Sequence, residues 1–508
     1  MSHLKTIAWI TLALLLTAGV FARAGMTRRW IEGIGVETER QELRVWDWWS
    51  ASTNEEYGAY YAEIEKTFEA QHPDIDIVYQ IVPFGNYVQK LSTAMVGDTP
   101  PDVFQSSVYW AEGFYQRGML RPLDDLLAAD NGLLAAGRAS DSGNSLAAEQ
   151  FLPTAWRHNH TVDKDGNTVV FGIPQIIDAS CIVWNLDILQ QEAAADAELR
   201  EMFAHRPDGS IDYDRIRFDS LRDWDHFRRI VDKLTIRGDE GNVERAGFVL
   251  SAYGSGAGAF SPWLAANGGR VQDEAGTKAL FATPEGVETL EFLSRLYWVD
   301  KVSPPFRRQM TPAELFQERK VASVTAGTWS GKDITRNSLG WTHFGKTAFP
   351  PGPSGDGPRT VTWGNMLVIT RRAENVDAAW AYLKFVCGLQ GSLLRSKHLG
   401  YNGPRFDFYA TDRWQEALAE RPYLSNVKQI CLVGEKLRHT EITAVDHQAN
   451  PVFESVLLHY PEIVEGSGPY ESVEAALKVA ARNVDNVYAR YHEQVDLWLT
   501  ERRLRGER

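Results

Sequence analysis

The sequence predicts an α/β protein built on a parallel sheet. Three observations support this fold class: strand-like and helix-like segments alternate from residue 43 onward, the strand-like runs are short and apolar, and the intervening helices have one apolar face. The order strand, helix, strand, helix, strand is typical of a parallel sheet covered by helices. The 508 residues suffice for more than one core, since single cores stop growing near about 250–300 residues.

The first elements follow in that order. Residues 43–49 (LRVWDWW) predict a strand, and the next segment has apolar residues at helical spacing until His72-Pro73 ends the helix. Further strands are predicted at residues 75–82 and 103–104, with a helix at 87–96 between them. In such sheets, ligands bind beyond the carboxyl ends of the strands.

The second half continues the α/β pattern. Residues 221–234 predict an amphipathic helix, and residues 321–327 predict a strand that ends just before Trp329. A segment rich in proline and glycine at 349–358 is typical of a connector between structural units. After it we expect a strand at 361–370, a helix at 377–386, and one long helix or two at 473–504.

The N-terminus predicts export. Lys5 precedes an uncharged apolar run at 7–22, and Ala22-Arg23-Ala24 offers small residues for cleavage, so residues 1–24 are expected to be a signal peptide of a periplasmic protein. The alternative is an uncleaved membrane anchor, because the apolar run is only slightly too short to span a bilayer.

Charge and cysteine content narrow the class of partner. Removing residues 1–24 deletes two positive charges and no acid, which takes the net charge from −14 to −16. Such an acidic chain is a poor counterion for phosphate backbones, so we expect no nucleic-acid partner. The three cysteines argue against a disulfide framework, although one disulfide stays open, and none follows the signal region to accept a lipid.

Short motifs spread along the chain resemble the extracellular solute-binding protein family 1, the group that includes maltose-binding protein. The motifs lie between residues 43 and 405 in the family's order and spacing, and the last hundred residues match only loosely. They are residues 68–78 (FEAQHPDIDIV), 99–104 (TPPDVF), 118–123 (GMLRPL), 172–174 (GIP), 183–187 (VWNLD), 224–227 (WDHF), 327–330 (GTWS) and 378–385 (AAWAYLKF).

The resemblance implies a periplasmic-binding-protein-like fold, with two α/β lobes joined by crossing hinge strands. It places the crossings near residues 174–178, 358–363 and 399–404, so each lobe is discontinuous in sequence. The first lobe is then residues 43–175 with 363–400, and the second lobe is residues 178–360 with 402–508. Extra length near 128–160 and 195–220 has no assigned role.

The resemblance also implies a ligand site between the lobes. The family tryptophan that matches Trp329 stacks on ligand, and an acid at the position of Asp178 binds sugar hydroxyls; the alternatives are a core tryptophan and a capped turn carboxylate. Strand alternation points Trp48 and Trp49 oppositely, so at most one is expected to face the cleft. The other candidate contacts are Ser106, Tyr109, Trp363, Asn365, Asn402 and Arg405, of which Arg405 has the alternative of an ion pair across the hinge.

These residue types suit a sugar, since flat aromatic rings cover its C–H faces and carboxylates or amides bond its hydroxyls. The resemblance therefore implies a monomeric substrate-binding protein of an ABC importer that delivers a mono- or oligosaccharide to a membrane permease. No catalytic constellation, metal site or cofactor motif stands out. A secreted carbohydrate-active hydrolase and a binder of a non-sugar solute are the alternatives.

Overall fold

A computed structural model describes residues 40–504 apart from nine gaps. The gaps are residues 50–53, 136–144, 163–165, 240–241, 251–255, 274–275, 304–315, 317–318 and 437–447. The predicted signal peptide at 1–24 therefore lies outside the described residues. No helix in the described part of the chain is long and apolar enough to cross a membrane.

Fourteen strands are described, and eight of them form one sheet. In chain order the strands are β1 Gln41–Trp49, β2 Ile75–Pro83, β3 Val103–Ser107, β4 His160–Val162, β5 Thr168–Val170, β6 Ile173–Asn185, β7 Phe203–His205, β8 Ile211–Ile216, β9 Ile236–Arg237, β10 Val243–Arg245, β11 Ser323–Gly327, β12 Phe344–Thr347, β13 Thr360–Ile369 and β14 Gly434–Lys436.

The described α-helices pack around this sheet. They are α1 Asn54–Gln71, α2 Phe84–Val96, α3 Val108–Gln116, α4 Asp124–Ala135, α5 Pro153–Trp156, α6 Leu186–Ala193, α7 Ala197–Arg200, α8 Trp224–Lys233, α9 Gly256–Ala266, α10 Pro284–Trp298, α11 Gly331–Asn337, α12 Val376–Cys387, α13 Leu389–Leu399, α14 Asp412–Glu420, α15 Val427–Leu432, α16 Asn450–Leu458, α17 Tyr460–Val464 and α18 Val473–Leu504. The predicted C-terminal helical stretch is thus one helix.

The main sheet runs β11-β6-β13-β3-β1-β2, with β12 also pairing with β6 and β14 with β13. The predicted parallel pairing is confirmed where β1 lies between β2 and β3. The two long strands β6 and β13 pair antiparallel with each other at the centre, and β11 and β12 add antiparallel edges to β6. The carboxyl ends of β1, β2 and β3 therefore lie beside the middle of β13.

Apolar side chains form separate cores on the two sides of β6 and β13. One side buries Leu43, Ile64 and Phe68 with residues of β13 and α12, and the other buries a large cluster that includes Trp184 and Trp263. We keep the terms first lobe and second lobe for the predicted segments, whose boundaries remain a prediction. One element departs from them, since Leu152 and Ala155 of the α5 region pack in a core made mostly of second-lobe residues.

All three cysteines are buried and unpaired in the structure, as expected of small apolar side chains. Cys387 and Cys431 lie on α12 and α15, and Cys181 lies on β6. Burial raises the pKa of the Cys181 thiol to about 12, so it stays protonated and unreactive at neutral pH.

Candidate ligand-binding site at the crossing strands

The candidate site is built on the pairing of β6 with β13. Asp178 lies opposite Trp363 in this pair, and Asn365, two residues further along β13, lies opposite Ser107 at the end of β3. A bulge follows Asn365, so the register with β6 shifts there. Three predicted contact residues are therefore brought to one short stretch of sheet where the lobes meet.

A buried polar network holds the turn that follows β11. The Thr328 hydroxyl donates to Asp178 Oδ1 at 2.9 Å and accepts from the Ala179 backbone N–H at 3.0 Å. The Lys346 ammonium, almost fully buried on β12, donates to the Thr328 carbonyl at 2.8 Å. Both polar groups of Thr328 are thus fixed from the second lobe side, and we call Asp178, Thr328 and Lys346 the polar clamp.

Burial shifts the pKa values of two groups in the polar clamp. It raises the pKa of the Asp178 carboxyl to about 7, against the hydrogen bond from Thr328 and the charge of Lys346. It also lowers the pKa of the Lys346 ammonium, opposed by Cys181 and Asp178. These shifts are the expected result of removing charged groups from water.

The clamp positions the ring of Trp329, which comes next in the chain. A Cβ on Gly327 would lie 2.0 Å from the Trp329 ring, so glycine is required for the ring to fold back over the end of β11. Trp329 is partly exposed and meets Trp363 edge to face, with ring centroids 5.9 Å apart. Two predicted aromatic contacts therefore form one pair, in which Trp363 lies opposite Asp178 on the neighbouring strand and Trp329 follows Thr328 in the chain.

A cleft pocket opens beside this pair. Trp329 and Asn402 line it together with Lys332, Asp333 and Tyr401. Its cavity volume is small, about 50 Å³, and the total empty space including that open to solvent is about 530 Å³. The Asn402 side chain is buried, and its Oδ1 has no hydrogen-bond partner in the described part of the chain.

Ion pairs connect the two lobes at the edge of the pocket. Glu56 on α1 pairs with Lys332 at 3.3 Å and with Arg336 at 2.7 Å, both on α11. The Lys332 ammonium also reaches the carbonyl of His398, at 3.5 Å. Since α1 and α13 lie in the predicted first lobe and α11 in the predicted second lobe, these contacts join the two predicted lobes beside the pocket.

The structure places other predicted contacts away from this pocket. Trp48 is 7% exposed and packs among aromatic rings of the first lobe, and Ser106 is fully buried with its hydroxyl donating to the Ser107 carbonyl. Arg405 is fully buried and pairs with Asp407 at 2.7 Å, an acid two residues away in the same segment. Among the described side chains, the predicted contacts that line the pocket are Trp329 and Asn402. Asp178, Trp363 and Asn365 lie on the neighbouring strands and do not line it. The side chains of Trp49 and Tyr109 lie outside the described residues.

Five residues of the site were missed by sequence reasoning: Thr328, Lys332, Asp333, Lys346 and Tyr401. Thr328 lies in the motif at residues 327–330, where the predicted contact is its neighbour Trp329. Lys346 carries the clearest missed signal, because a lysine flanked by Phe344, Gly345 and Thr347 in a buried strand needs polar partners. No group of three or more His, Cys, Asp or Glu is placed to hold a metal within the described ranges.

Comparisons with known proteins agree with this architecture. Residues 50–388 match the profile of a family described as bacterial extracellular solute-binding protein. Binding proteins of Brucella abortus (strain 2308) and Brucella suis biovar 1 (strain 1330) are each 22% identical over 335 residues, which is 65% of this chain and 68% of theirs.

Solved structures share the fold over most of the chain. The sugar-binding protein MalE of Xanthomonas citri superposes with a TM-score of 0.66 at 17% identity, covering 90% of this chain and 99% of its own. The cyclic α-maltosyl-1,6-maltose binding protein of Arthrobacter globiformis gives 0.64 at 19% identity, covering 88% and 99%. The GacH receptor of Streptomyces glaucescens, solved with acarbose, gives 0.61 at 19% identity, covering 89% and 98%.

Proposed function

Because the chain belongs to the bacterial extracellular solute-binding protein family, we propose that it binds a carbohydrate in the cleft between its lobes and delivers it to the membrane permease of an ABC importer. The premise rests on the family match over residues 50–388. The proposal adds the chemical class of the solute, its place in the molecule, and its destination.

The observation that carries this proposal is the pair Trp329–Trp363, in which Trp363 lies opposite the buried acid Asp178 on the neighbouring strand. Trp329 is partly exposed and follows Thr328, which is held by hydrogen bonds, so its ring offers a rigid stacking surface for the C–H face of a sugar. The neighbouring polar groups are suited to exchange hydrogen bonds with the hydroxyls of a sugar, and the unpartnered Asn402 Oδ1 is suited to accept one. An anionic solute is disfavoured by the overall acidity of the chain.

The solved relatives support the sugar class. The Arthrobacter protein is named for a cyclic α-glucan, the Streptomyces receptor was solved with acarbose, and the Xanthomonas protein is described as sugar-binding. Each statement concerns that relative alone, and the low identities leave the particular sugar of this chain open.

Ligand entry requires the lobes to separate. The cavity volume of about 50 Å³ is far below the roughly 300 Å³ of the smallest typical ligand pockets. A sugar that contacts both lobes has more contacts in the closed form than in the open one, and this difference in affinity drives closure. The permease then distinguishes the closed form from the open form.

A thermal-shift screen against mono- and oligosaccharides tests the proposal, since a ligand that binds only the native state raises the melting temperature. We expect a shift from at least one sugar, and prolonged incubation should return that sugar unchanged. Turnover that disappears in Asp178→Asn would assign the cleft to a hydrolase. If no sugar raises the melting temperature but an amino acid, peptide or polyamine does, the solute is not a carbohydrate and belongs to that other class.

Export is part of the same proposal. The family description as extracellular supports an exported protein, and we propose that the chain is released into the periplasm after cleavage near Ala24 and acts as a monomer. N-terminal sequencing of periplasmic material should then begin close to Gly25. Recovery of the chain only in membranes, with Met1 intact, would indicate an uncleaved anchor instead.

A further inference from the structure

The long C-terminal helix α18 continues past the core into which it packs. Its N-terminal half is buried in the large core of the predicted second lobe through Leu477, Val484 and Tyr488. With 32 residues and a rise of about 1.5 Å per residue, the helix is about 48 Å long. It also lies wholly beyond residues 50–388, which match the family profile, so the family match assigns it no role.

One face of α18 stays buried beyond Tyr488. Tyr491 and Val495 are only 6% and 8% exposed, although Leu497 is 60% exposed. Tyr488, Tyr491 and Val495 follow one another at spacings of three and four residues, so they share one face of the helix. Among the described residues, neither Tyr491 nor Val495 belongs to the core that holds Tyr488. This face therefore makes a second contact outside that core.

The second contact includes helix α3 of the predicted first lobe. The Tyr491 hydroxyl donates to Oε1 of Gln116, the last residue of α3, at 3.2 Å. The next residue of α18, His492, instead contacts the predicted second lobe, where its Nε2 lies 3.4 Å from the Gly276 carbonyl oxygen. One turn of α18 therefore touches both predicted lobes.

The two partners of this contact are each anchored in their own lobe. Before Tyr491, the fully buried Tyr488 is fixed in the core, and Asp485 accepts a backbone hydrogen bond at 2.7 Å from the loop between α9 and α10. Before Gln116, Phe114 is buried in a first-lobe core. A movement of one lobe relative to the other must therefore change the distance between hydroxyl and amide oxygen, and a pair about 3.6 Å apart is no longer hydrogen-bonded.

The contact between α18 and α3 lies on the opposite face of the main sheet from the Glu56 ion pairs. Phe114 of α3 shares a core with Met366, whereas Ile64 of α1 shares a core with the next residue, Leu367. Consecutive residues of a strand point to opposite faces of a sheet. The predicted lobes are therefore joined on both faces, by α1 with α11 on one and by α3 with α18 on the other.

We propose that α18 is a strap between the lobes, whose Tyr491–Gln116 contact is kept while the solute is enclosed and is broken when the lobes separate, so that it slows release of the solute. This inference rests on the proposed function, since it assumes a solute held between the lobes. One neutral hydrogen bond contributes modestly to stability, so its loss should speed release several-fold and leave binding intact.

Stopped-flow release of the solute that gives the thermal shift tests the strap. Tyr491→Phe removes the hydroxyl donor and keeps the ring, so release should become about three- to tenfold faster with little change in the unfolding midpoint. Gln116→Ala should have the same effect, and the double variant should release the solute no faster than either single variant. An unchanged or slower release in both single variants would overturn the strap.

His492→Gln is the matched control, because His492 lies beside Tyr491 on α18 but its contact is with the predicted second lobe. Its release rate should match wild type. If it releases the solute as fast as Tyr491→Phe, the effect comes from a general loosening of α18, and the contact with α3 is not a strap.

Crosslinking measures the same contact without a release rate. The described native cysteines are buried, so a short bis-maleimide should react with the thiols of a double variant that combines Gln116→Cys with Tyr491→Cys. Crosslinking should be faster with bound solute than without it. Equal crosslinking in the two states would make the contact a permanent one and overturn the strap.

These outcomes separate the strap from the function on which it rests. If a sugar binds but neither its release nor the crosslinking responds as expected, only the strap is wrong. If a solute of another class binds and both measurements respond, the strap stands and the carbohydrate class is wrong. If the protein binds no solute, both proposals are wrong.

Discussion

Two aromatic clusters of the molecule are held in place by different physics. In the second lobe, Trp329 follows the polar clamp. There the buried Asp178 carboxyl accepts from the Thr328 hydroxyl, and the buried Lys346 ammonium donates to the Thr328 carbonyl. In the first lobe, Phe84 and Trp110 are positioned by apolar packing on Trp48 and Tyr87. The clamp should therefore be sensitive to charge and pH, whereas the packing of Phe84 and Trp110 should be sensitive only to size and shape.

Removing the buried ammonium is the strongest way to test this difference. Lys346→Met leaves the buried Thr328 carbonyl without a donor, so the free energy of unfolding should fall by about 1–3 kcal/mol. Sugar affinity should fall as well, because the turn that carries Trp329 loses an anchor. Denaturant unfolding with an unchanged m-value measures the first effect, and calorimetry measures the second.

Lys332→Met is the matched control, since Lys332 is partly exposed and pairs with Glu56 at the surface. It should cost less than about 1 kcal/mol. If the two lysine variants unfold alike, the polar clamp is not what stabilises the turn.

The raised pKa of Asp178 predicts a pH dependence of stability. The folded state keeps the proton up to a pKa of about 7, whereas the ordinary pKa of an aspartate is 3.8, so this contribution is complete below about pH 4 and is lost as the pH rises to about 7. Asp178→Asn should flatten the stability profile over this window, as followed by unfolding at a series of pH values.

Asp47 provides a comparison from the first lobe. Burial raises the pKa of its carboxyl to about 6, so Asp47→Asn should also flatten part of the stability profile. Only Asp178→Asn should in addition change how sugar affinity depends on pH, because Asp178 accepts the hydrogen bond of Thr328, the residue before Trp329. Identical affinity profiles for the two variants would contradict the separation between the two regions.

The ion pairs between the lobes should have the smallest effect. Glu56→Gln removes both contacts to Lys332 and Arg336, each at the edge of the pocket. Dissociation of the sugar, followed by stopped-flow fluorescence, should become up to about fivefold faster, and less so at high salt.

Glu63→Gln is the control for the interlobe ion pairs, because Glu63 pairs with Lys397 and His398 within the first lobe. Its dissociation rate should match wild type. Faster dissociation in both variants would indicate a general loss of charge rather than a loss of contacts between the lobes.

Much of the fold was predictable because it depends on local patterns. Residues 75–82 and 473–504 were recognised from apolar periodicity, and the observed elements Ile75–Pro83 and Val473–Leu504 differ by no more than one residue at either end. The crossing strand β6 is buried along its whole length, and periodicity cannot show which of its residues meet another strand.

The site was only partly predictable because its contacts are distant in sequence. Asp178 and Thr328 are 150 residues apart, and Lys346 reaches the Thr328 carbonyl from a different strand. Such pairs are set by strand register, which a single sequence does not reveal.

The most direct test of the central claim is calorimetric titration of Trp329→Ala with the sugar found in the screen, beside denaturant unfolding of the same variant. Loss of a fixed stacking surface should weaken binding at least tenfold, while the partly exposed position should leave the unfolding midpoint near that of wild type. Wild-type affinity would remove Trp329 from the site, and a large loss of stability would make it a core residue instead of a ligand contact.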